Sequence, residues 1–188
     1  MIQQNNFFDS SELCASCFSP VGPVDVCPVC GYQKNSKDDQ DWNKLHPGTV
    51  IHERYVIGRS LGQGGFGITY LGFDLRLKTK LAIKEYYPSG LAVRNTANMT
   101  VMNATRDVVE DFRQGMDKFL EEARTVARFE SHANIVSVRD FFECNGTAYM
   151  VMTYFEGKTM LKYLNERGGV IPFEEAIQIL SPIMDALD

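Results

Sequence analysis

Between residues 50 and 155 the apolar positions follow two rhythms. Short runs rich in β-branched and aromatic residues alternate in steps of two, and one long segment repeats in steps of three and four. Tyr55-Val56-Ile57-Gly58-Arg59-Ser60-Leu61 and Ile68-Thr69-Tyr70-Leu71-Gly72-Phe73-Asp74 read as strands on either side of a glycine cluster. Lys80 to Tyr86 reads as a third strand that ends before Pro88. Residues 89–107 mix turn formers with a hairpin around Met99-Thr100-Val101. A helix is predicted from about Val109 to Glu130, because Phe112, Met116, Phe119, Leu120, Ala123, Val126, Ala127 and Phe129 recur at helical spacing with charges between them. Ile135 to Phe142 and Ala148 to Tyr154 read as two more strands, and Asn145-Gly146 between them is a strong hairpin signal. Gly157 breaks the pattern. Helices are predicted over Met160 to Glu166 and Phe173 to Leu187, with a kink where Pro182 has no N–H to give the Gln178 carbonyl. The expected class is α+β: a five-stranded antiparallel sheet carrying one main helix, then short helices that are marginal alone.

Upstream of residue 50 the rhythm is lost. Residues 34–47 are polar and charged and end at Pro47-Gly48, so 33–49 reads as a linker. Four of the five cysteines precede it, as Cys14-x-x-Cys17 and Cys27-x-x-Cys30. Two such knuckles can turn four thiolates toward one tetrahedral ion, which suits Zn²⁺. Gly31 permits the tight turn after Cys30. A segment as short as 12–32 has almost no apolar core, so the metal would supply most of its folding free energy. Two disulfides, a reduced tail and a rubredoxin-like iron site are the alternatives. No His stands ready as a further ligand, and a shell closed by Cys14, Cys17, Cys27 and Cys30 points to a structural metal. Cys144 stands alone near a hairpin turn and reads as incidental.

Charge and composition narrow the partners. The formal net charge of −5 gives no reason to expect nucleic acid or an anionic membrane. No apolar run reaches the ~20 residues that span a bilayer. The N-terminus lacks the basic and apolar regions of a secretory signal, so a cytoplasmic location is expected.

The candidate chemistry lies in Leu61-Gly62-Gln63-Gly64-Gly65-Phe66-Gly67-Ile68-Thr69-Tyr70 and in Leu81-Ala82-Ile83-Lys84. Glycines let backbone N–H groups approach phosphate oxygens. Alone, Gly62-x-Gly64-x-x-Gly67 is weak evidence, because a dinucleotide fingerprint has the same spacing. Here the glycines lead into a strand rather than a helix, and a Lys–Ser/Thr pair directly after the loop is absent.

Residues 50–188 resemble the start of a protein kinase domain, and the run through Leu81-Ala82-Ile83-Lys84-Glu85-Tyr86-Tyr87-Pro88 is most similar to bacterial serine/threonine kinases. The resemblance implies that 50–156 is an ATP-binding lobe and that 157–188 begins a second lobe; separately, Cys27-Pro28-Val29-Cys30-Gly31 resembles the second knuckle of zinc ribbons, so 12–32 is expected to be a zinc ribbon. It implies that Lys84 contacts the α- and β-phosphates and takes its orienting carboxylate from the long helix. Glu122 fits that role better than Glu121, since it precedes Ala123 in the family's Phe-x-x-Glu-Ala pattern with Phe119. Leu61, Thr69 and Ala82 would enclose adenine, with Thr69 where the usual residue is Val. Met152 falls at the gatekeeper position, and Thr153 and Phe155 would offer backbone hydrogen bonds from the hinge. His132 takes a structural role; His46 and His52 carry no constellation.

The resemblance also implies Mg²⁺ and a protein substrate with Ser or Thr. The family's His-Arg-Asp and Asp-Phe-Gly motifs, which supply the base and the Mg²⁺ ligands, do not occur in the 188 residues. The chain alone is therefore expected to be inactive. Its last helix is expected to expose an apolar stripe (Ala176, Ile177, Leu180, Ile183, Met184, Leu187) open to a partner. The alternative expectation is a non-catalytic module that binds through its ribbon and kinase-like lobe.

Overall fold

The computed structural model describes residues 12–33, 41–129 and 132–186. Its strands are β1 (Val50–Ile51), β2 (Tyr55–Gly64), β3 (Gly67–Asp74), β4 (Thr79–Tyr86), β5 (Ala92–Arg94), β6 (Val101–Asn103), β7 (Val138–Cys144) and β8 (Thr147–Thr153), and its helices are α1 (Val109–Ala127), α2 (Met160–Glu166) and α3 (Phe173–Asp185). The main sheet has six strands in the order β1-β2-β3-β4-β8-β7, antiparallel at every pairing. The expected five strands are all in it, and the sixth is the two-residue β1 on the edge of β2. The hairpin expected near Met99 forms apart from this sheet as β5–β6.

Three boundaries differ from expectation for local reasons. β2 runs on past Leu61 through the glycines, because Gly62 pairs with Thr69 and Gly64 with Gly67. β7 begins at Val138 rather than Ile135, because the Ile135 amide closes a turn onto the His132 carbonyl. α1 ends at Ala127; its predicted end at Glu130, like that of the last helix at Leu187, lies outside the described residues.

The two faces of the sheet do different work. On the inner face α1 buries Phe112, Phe119, Leu120 and Ala123 beside Tyr86 and Met150. The outer face carries a buried ion pair. Arg94 and Glu85, both with fully buried side chains, meet at 2.6 Å. Glu85 also accepts from the hydroxyls of Tyr70 at 3.0 Å and Tyr149 at 2.8 Å. Arg94 spends its other donors on the carbonyls of Asn43 and Met99, each at 3.0 Å. A charge pair removed from water needs all its remaining hydrogen-bonding groups satisfied, and here the neighbours supply them.

This cluster also fixes the segment expected to be a free linker. Leu45 is 2% exposed and belongs to the main core, and its amide donates to the Tyr70 hydroxyl at 3.1 Å. The Tyr87 hydroxyl donates to the Asn43 side chain at 3.1 Å. Residues 41–49 are thus part of the lobe; 34–40 lie outside the described residues.

The ribbon is built from two matching knuckles. The Phe18 amide bonds to the Cys14 carbonyl, and the Gly31 amide to the Cys27 carbonyl, each at 2.9 Å. The residue after each second cysteine takes a left-handed backbone, Phe18 at φ 56° and Gly31 at φ 73°. Glycine adopts that conformation freely, whereas a residue with a Cβ gives up about 1–2 kcal/mol. Phe18 offsets the strain by burial: it is 3% exposed and its ring centroid lies 5.3 Å from that of Phe73. Burying a side chain of this size contributes about 1.5–3 kcal/mol.

Candidate nucleotide and metal sites

The glycine hairpin closes between β2 and β3, with Gly65 and Phe66 at its tip. The tip is tied back to the chain beyond β4. The Tyr87 amide donates to the Phe66 carbonyl at 3.2 Å, and the Ser89 amide to the Gly65 carbonyl at 2.9 Å. A Cβ at Gly67 would come within 2.2 Å of the Glu85 carbonyl oxygen, so that glycine is required by backbone packing. Gly62, Gly64 and Gly65 face open space, where a ligand can approach the backbone. Phe66 is 77% exposed at the tip.

Lys84 on β4 points toward α1. Its Nζ lies 3.1 Å from Glu122 Oε1 and 5.3 Å from the centroid of the Phe119 ring. Glu121, the other candidate, instead faces Arg124 at 3.2 Å on the solvent side of the helix. The Lys84–Glu122 pair is partly solvated, and such a pair contributes at most about 1 kcal/mol to stability. Its consequence is directional: it aims the ammonium along the cleft under the glycine hairpin. That cleft, about 480 Å³, is bounded by Gly65 and Phe66 above, by Lys84, and by Gly115, Lys118 and Glu122 on α1.

The position of Glu122 depends on Gly115, which sequence reasoning passed over. A Cβ there would fall 2.1 Å from the Tyr86 hydroxyl, which donates to the Phe112 carbonyl at 3.1 Å. A mid-helix glycine costs about 1 kcal/mol relative to Ala, and here its bareness lets the helix close onto β4. The signal was available as the one glycine inside the long amphipathic helix.

The remaining predicted residues form a second group. Across the sheet Thr69 pairs with Lys84, Leu71 with Ala82, and Ala82 with Met152, so these side chains share one face. Thr153 pairs with Leu81 one residue on, and Phe155 follows β8, 66% exposed. Leu61, Thr69, Ala82, Met152, Thr153 and Phe155 do not line the Lys84 cleft; Thr69, Ala82 and Met152 share the Lys84 face of the sheet, whereas Thr153, opposite Leu81, turns to the other face. Gln63, opposite Ile68, and Gly62 belong to the hairpin itself.

In the ribbon, Cys14 Sγ lies 3.8 Å from Cys30 Sγ, and Cys17 Sγ 3.8 Å from Cys27 Sγ. All four sulfurs lie within 4.8 Å of one another. A tetrahedron with ~2.3 Å metal–sulfur bonds has edges of about 3.8 Å, so the donor set fits one ion. Burial raises the Cys14 thiol to about 12. At Cys27 burial also works upward, but hydrogen bonds from the Cys30 and Val29 amides outweigh it and bring the thiol down to about 7. The Cys27 thiol is thus about half ionised at neutral pH. Cys144, raised to about 12 by burial, is far from this set in the hairpin β7–β8.

A curled antiparallel sheet, one helix whose carboxylate meets a strand lysine, and a glycine hairpin above the pair define the small lobe of a protein kinase. The sequence matches the protein kinase domain family over residues 55–188, and the chain belongs to that family. It is 31% identical over 140 residues to the serine/threonine-protein kinase PrkC of Bacillus subtilis, covering 74% of this chain and 18% of that protein. It is 28% identical over 141 residues to the probable serine/threonine-protein kinase PknB of Lactococcus lactis, covering 75% of this chain and 19% of that protein. The matched region is thus about a fifth of the length of these relatives. Among solved structures, the apo form of PpkA-294 superposes with a TM-score of 0.62 at 36% identity, covering 65% of this chain and 43% of that one. The kinase domain of Mycobacterium tuberculosis PknI shares the fold at a TM-score of 0.54 and 24% identity, covering 74% of this chain and 48% of that one. No helix among the described residues is long and apolar enough to cross a membrane.

Proposed function

We propose that the chain is the ATP-binding portion of a serine/threonine protein kinase that transfers the γ-phosphate of ATP to Ser or Thr of a protein substrate, with an N-terminal ribbon organised by structural zinc. The observation that carries the reading is the Lys84–Glu122 contact of 3.1 Å beneath a glycine hairpin open to a ligand. Glu122 holds the ammonium of Lys84 toward the α- and β-phosphates. The backbone of the hairpin from Gly62 to Phe66, uncrowded by side chains at Gly62, Gly64 and Gly65, lets its tip approach the phosphate oxygens. Leu61, Thr69 and Ala82 enclose the base beside Met152, and the backbone at Thr153 and Phe155 reads its edge. Mg²⁺ would neutralise phosphate charge when bound; its family ligands are not among these 188 residues.

The test is displacement of a fluorescent ATP analogue. Binding by the chain that weakens about 10-fold or more in Lys84→Met and in Glu122→Gln supports the reading. Unchanged affinity in Lys84→Met would remove that lysine from the site. A second reading, a non-catalytic binding module, is favoured by the exposed apolar residues of α3: Ile177, Leu180, Ile183 and Met184. Nucleotide binding indifferent to Mg²⁺, with no phosphoryl transfer by the whole kinase, would favour that reading.

A further inference from the structure

We propose that the ribbon is a positioning element of the nucleotide site: with its metal bound it holds the β2–β3 roof and the Tyr154 strand end in their binding arrangement, so metal and nucleotide affinities are coupled. The proposal rests on the ATP-site reading above.

The contact is made on the nucleotide side of the sheet. Phe18 lies in one apolar cluster with Val56, Leu71 and Phe73, against which Tyr154 also packs. Leu71 is opposite Ala82, and Ala82 opposite Met152, so the ribbon covers the face that presents the adenine-enclosing residues, one pair further along. Tyr154 stands between Thr153 and Phe155, the two hinge positions.

The fit is close and specific to this ribbon. The Arg59 amide on β2 donates to the Ser16 carbonyl at 2.9 Å, and Ser16 is 4% exposed. At Gly58 a Cβ would come within 2.6 Å of that carbonyl and 2.8 Å of the Phe18 ring, so β2 leaves room for the knuckle. The knuckle in turn departs from its own twin: it carries Phe18 in the left-handed conformation that the other knuckle gives to Gly31. A tether would be served better by glycine at both places. The strained aromatic is explained by its docking on β3.

Metal ligation sets the position of these contacts. Ser16 and Phe18 flank the ligand Cys17. The ribbon's own cluster consists of Cys14, Cys17 and Cys27 with Val21, Cys30 and Tyr32 against them, so without the metal little else holds the turn. Because coupling between two sites is reciprocal, nucleotide must raise metal affinity by the factor by which metal raises nucleotide affinity.

The experiment compares the intact protein loaded with zinc and stripped by a chelator, with zinc content followed by a metallochromic dye. Affinity for a fluorescent ATP analogue and hydrogen exchange at the Arg59 amide are read in both states. The expected result is nucleotide affinity about five-fold or more weaker without zinc, with Arg59 protection lost in parallel. Phe18→Gly, which gives the first knuckle the geometry of the second, should keep its zinc yet lose the zinc dependence of nucleotide binding; Phe18→Tyr should retain it. Unchanged nucleotide affinity after complete zinc removal, or an undiminished zinc effect in Phe18→Gly, would overturn the proposal. Absence of nucleotide binding in both states would overturn the ATP site and the coupling with it. That failure is told apart from uncoupling because the Arg59 amide still reports whether zinc holds the ribbon on β2.

Discussion

Replacing Arg94 with Met should strongly destabilise the lobe. Met fills much of the volume but removes three donors: to Glu85 at 2.6 Å and to the Asn43 and Met99 carbonyls at 3.0 Å. Glu85 would be left with the Tyr70 and Tyr149 hydroxyls and no positive charge. Breaking a buried pair from one side typically costs about 3–5 kcal/mol, against a total stability of about 5–15 kcal/mol for a domain. For a chain of this size, that lowers the melting temperature by about 6–20 °C. Urea unfolding followed by far-ultraviolet circular dichroism gives the global loss. Fluorescence of Trp42, the single tryptophan and a neighbour of Asn43, reports release of the 41–47 segment. Adding Glu85→Gln to Arg94→Met should restore part of the loss, because the stranded charge disappears while an acceptor for the tyrosines remains. A cost below about 1 kcal/mol for Arg94→Met, or no recovery in the double variant, would refute the reasoning.

Three further outcomes are expected. Gly67→Ala should destabilise the lobe, since its Cβ meets the Glu85 carbonyl at 2.2 Å, while Gly64→Ala, facing open space, should leave the melting temperature within about 2 °C and weaken nucleotide binding; thermal scans and titration separate the two. Zinc affinity should fall at least about 100-fold between pH 7 and pH 5, because acid protonates Cys27, lowered to about 7, and binding must still displace the proton of Cys14; competition with a dye at each pH measures this. Burial works upward on Asp74, but hydrogen bonds from Arg54 and from the Leu77 and Arg76 amides hold it below the usual carboxylate range. Its contribution is complete above the unfolded value near ~3.9 and is lost as pH falls through the folded value, so Asp74→Asn should flatten the acid limb of the stability curve in urea titrations at pH 2–6.

The strands and α1 were legible because each presents one apolar face at a fixed period, and the cluster of four cysteines because two Cys-x-x-Cys knuckles bring four thiols to close spacing. Glu122 could be preferred to Glu121 from the residues around it; Glu122 contacts Lys84, and Glu121 contacts Arg124. What the pattern could not carry was contact between distant segments. Nothing in the pattern set Arg94 and Glu85 apart, because only the folded sheet places Tyr70, Tyr149 and Asn43 around them. Leu45 was hidden in a polar stretch, where one apolar residue has no period. The backbone strain of Phe18 and its partner Phe73 appear only in three dimensions.

The two hydrogen bonds that fasten the tip of the glycine hairpin, from the Tyr87 and Ser89 amides to Phe66 and Gly65, act as a latch. At about 1 kcal/mol net for each bond, releasing the tip costs about 2 kcal/mol, so the fastened hairpin outnumbers the lifted one by roughly 30 to 1. A nucleotide leaving upward would have to wait for the rare lifted state. If the cleft holds a nucleotide as proposed, loosening the latch with Ser89→Pro, which lacks the donating N–H, should raise its dissociation rate.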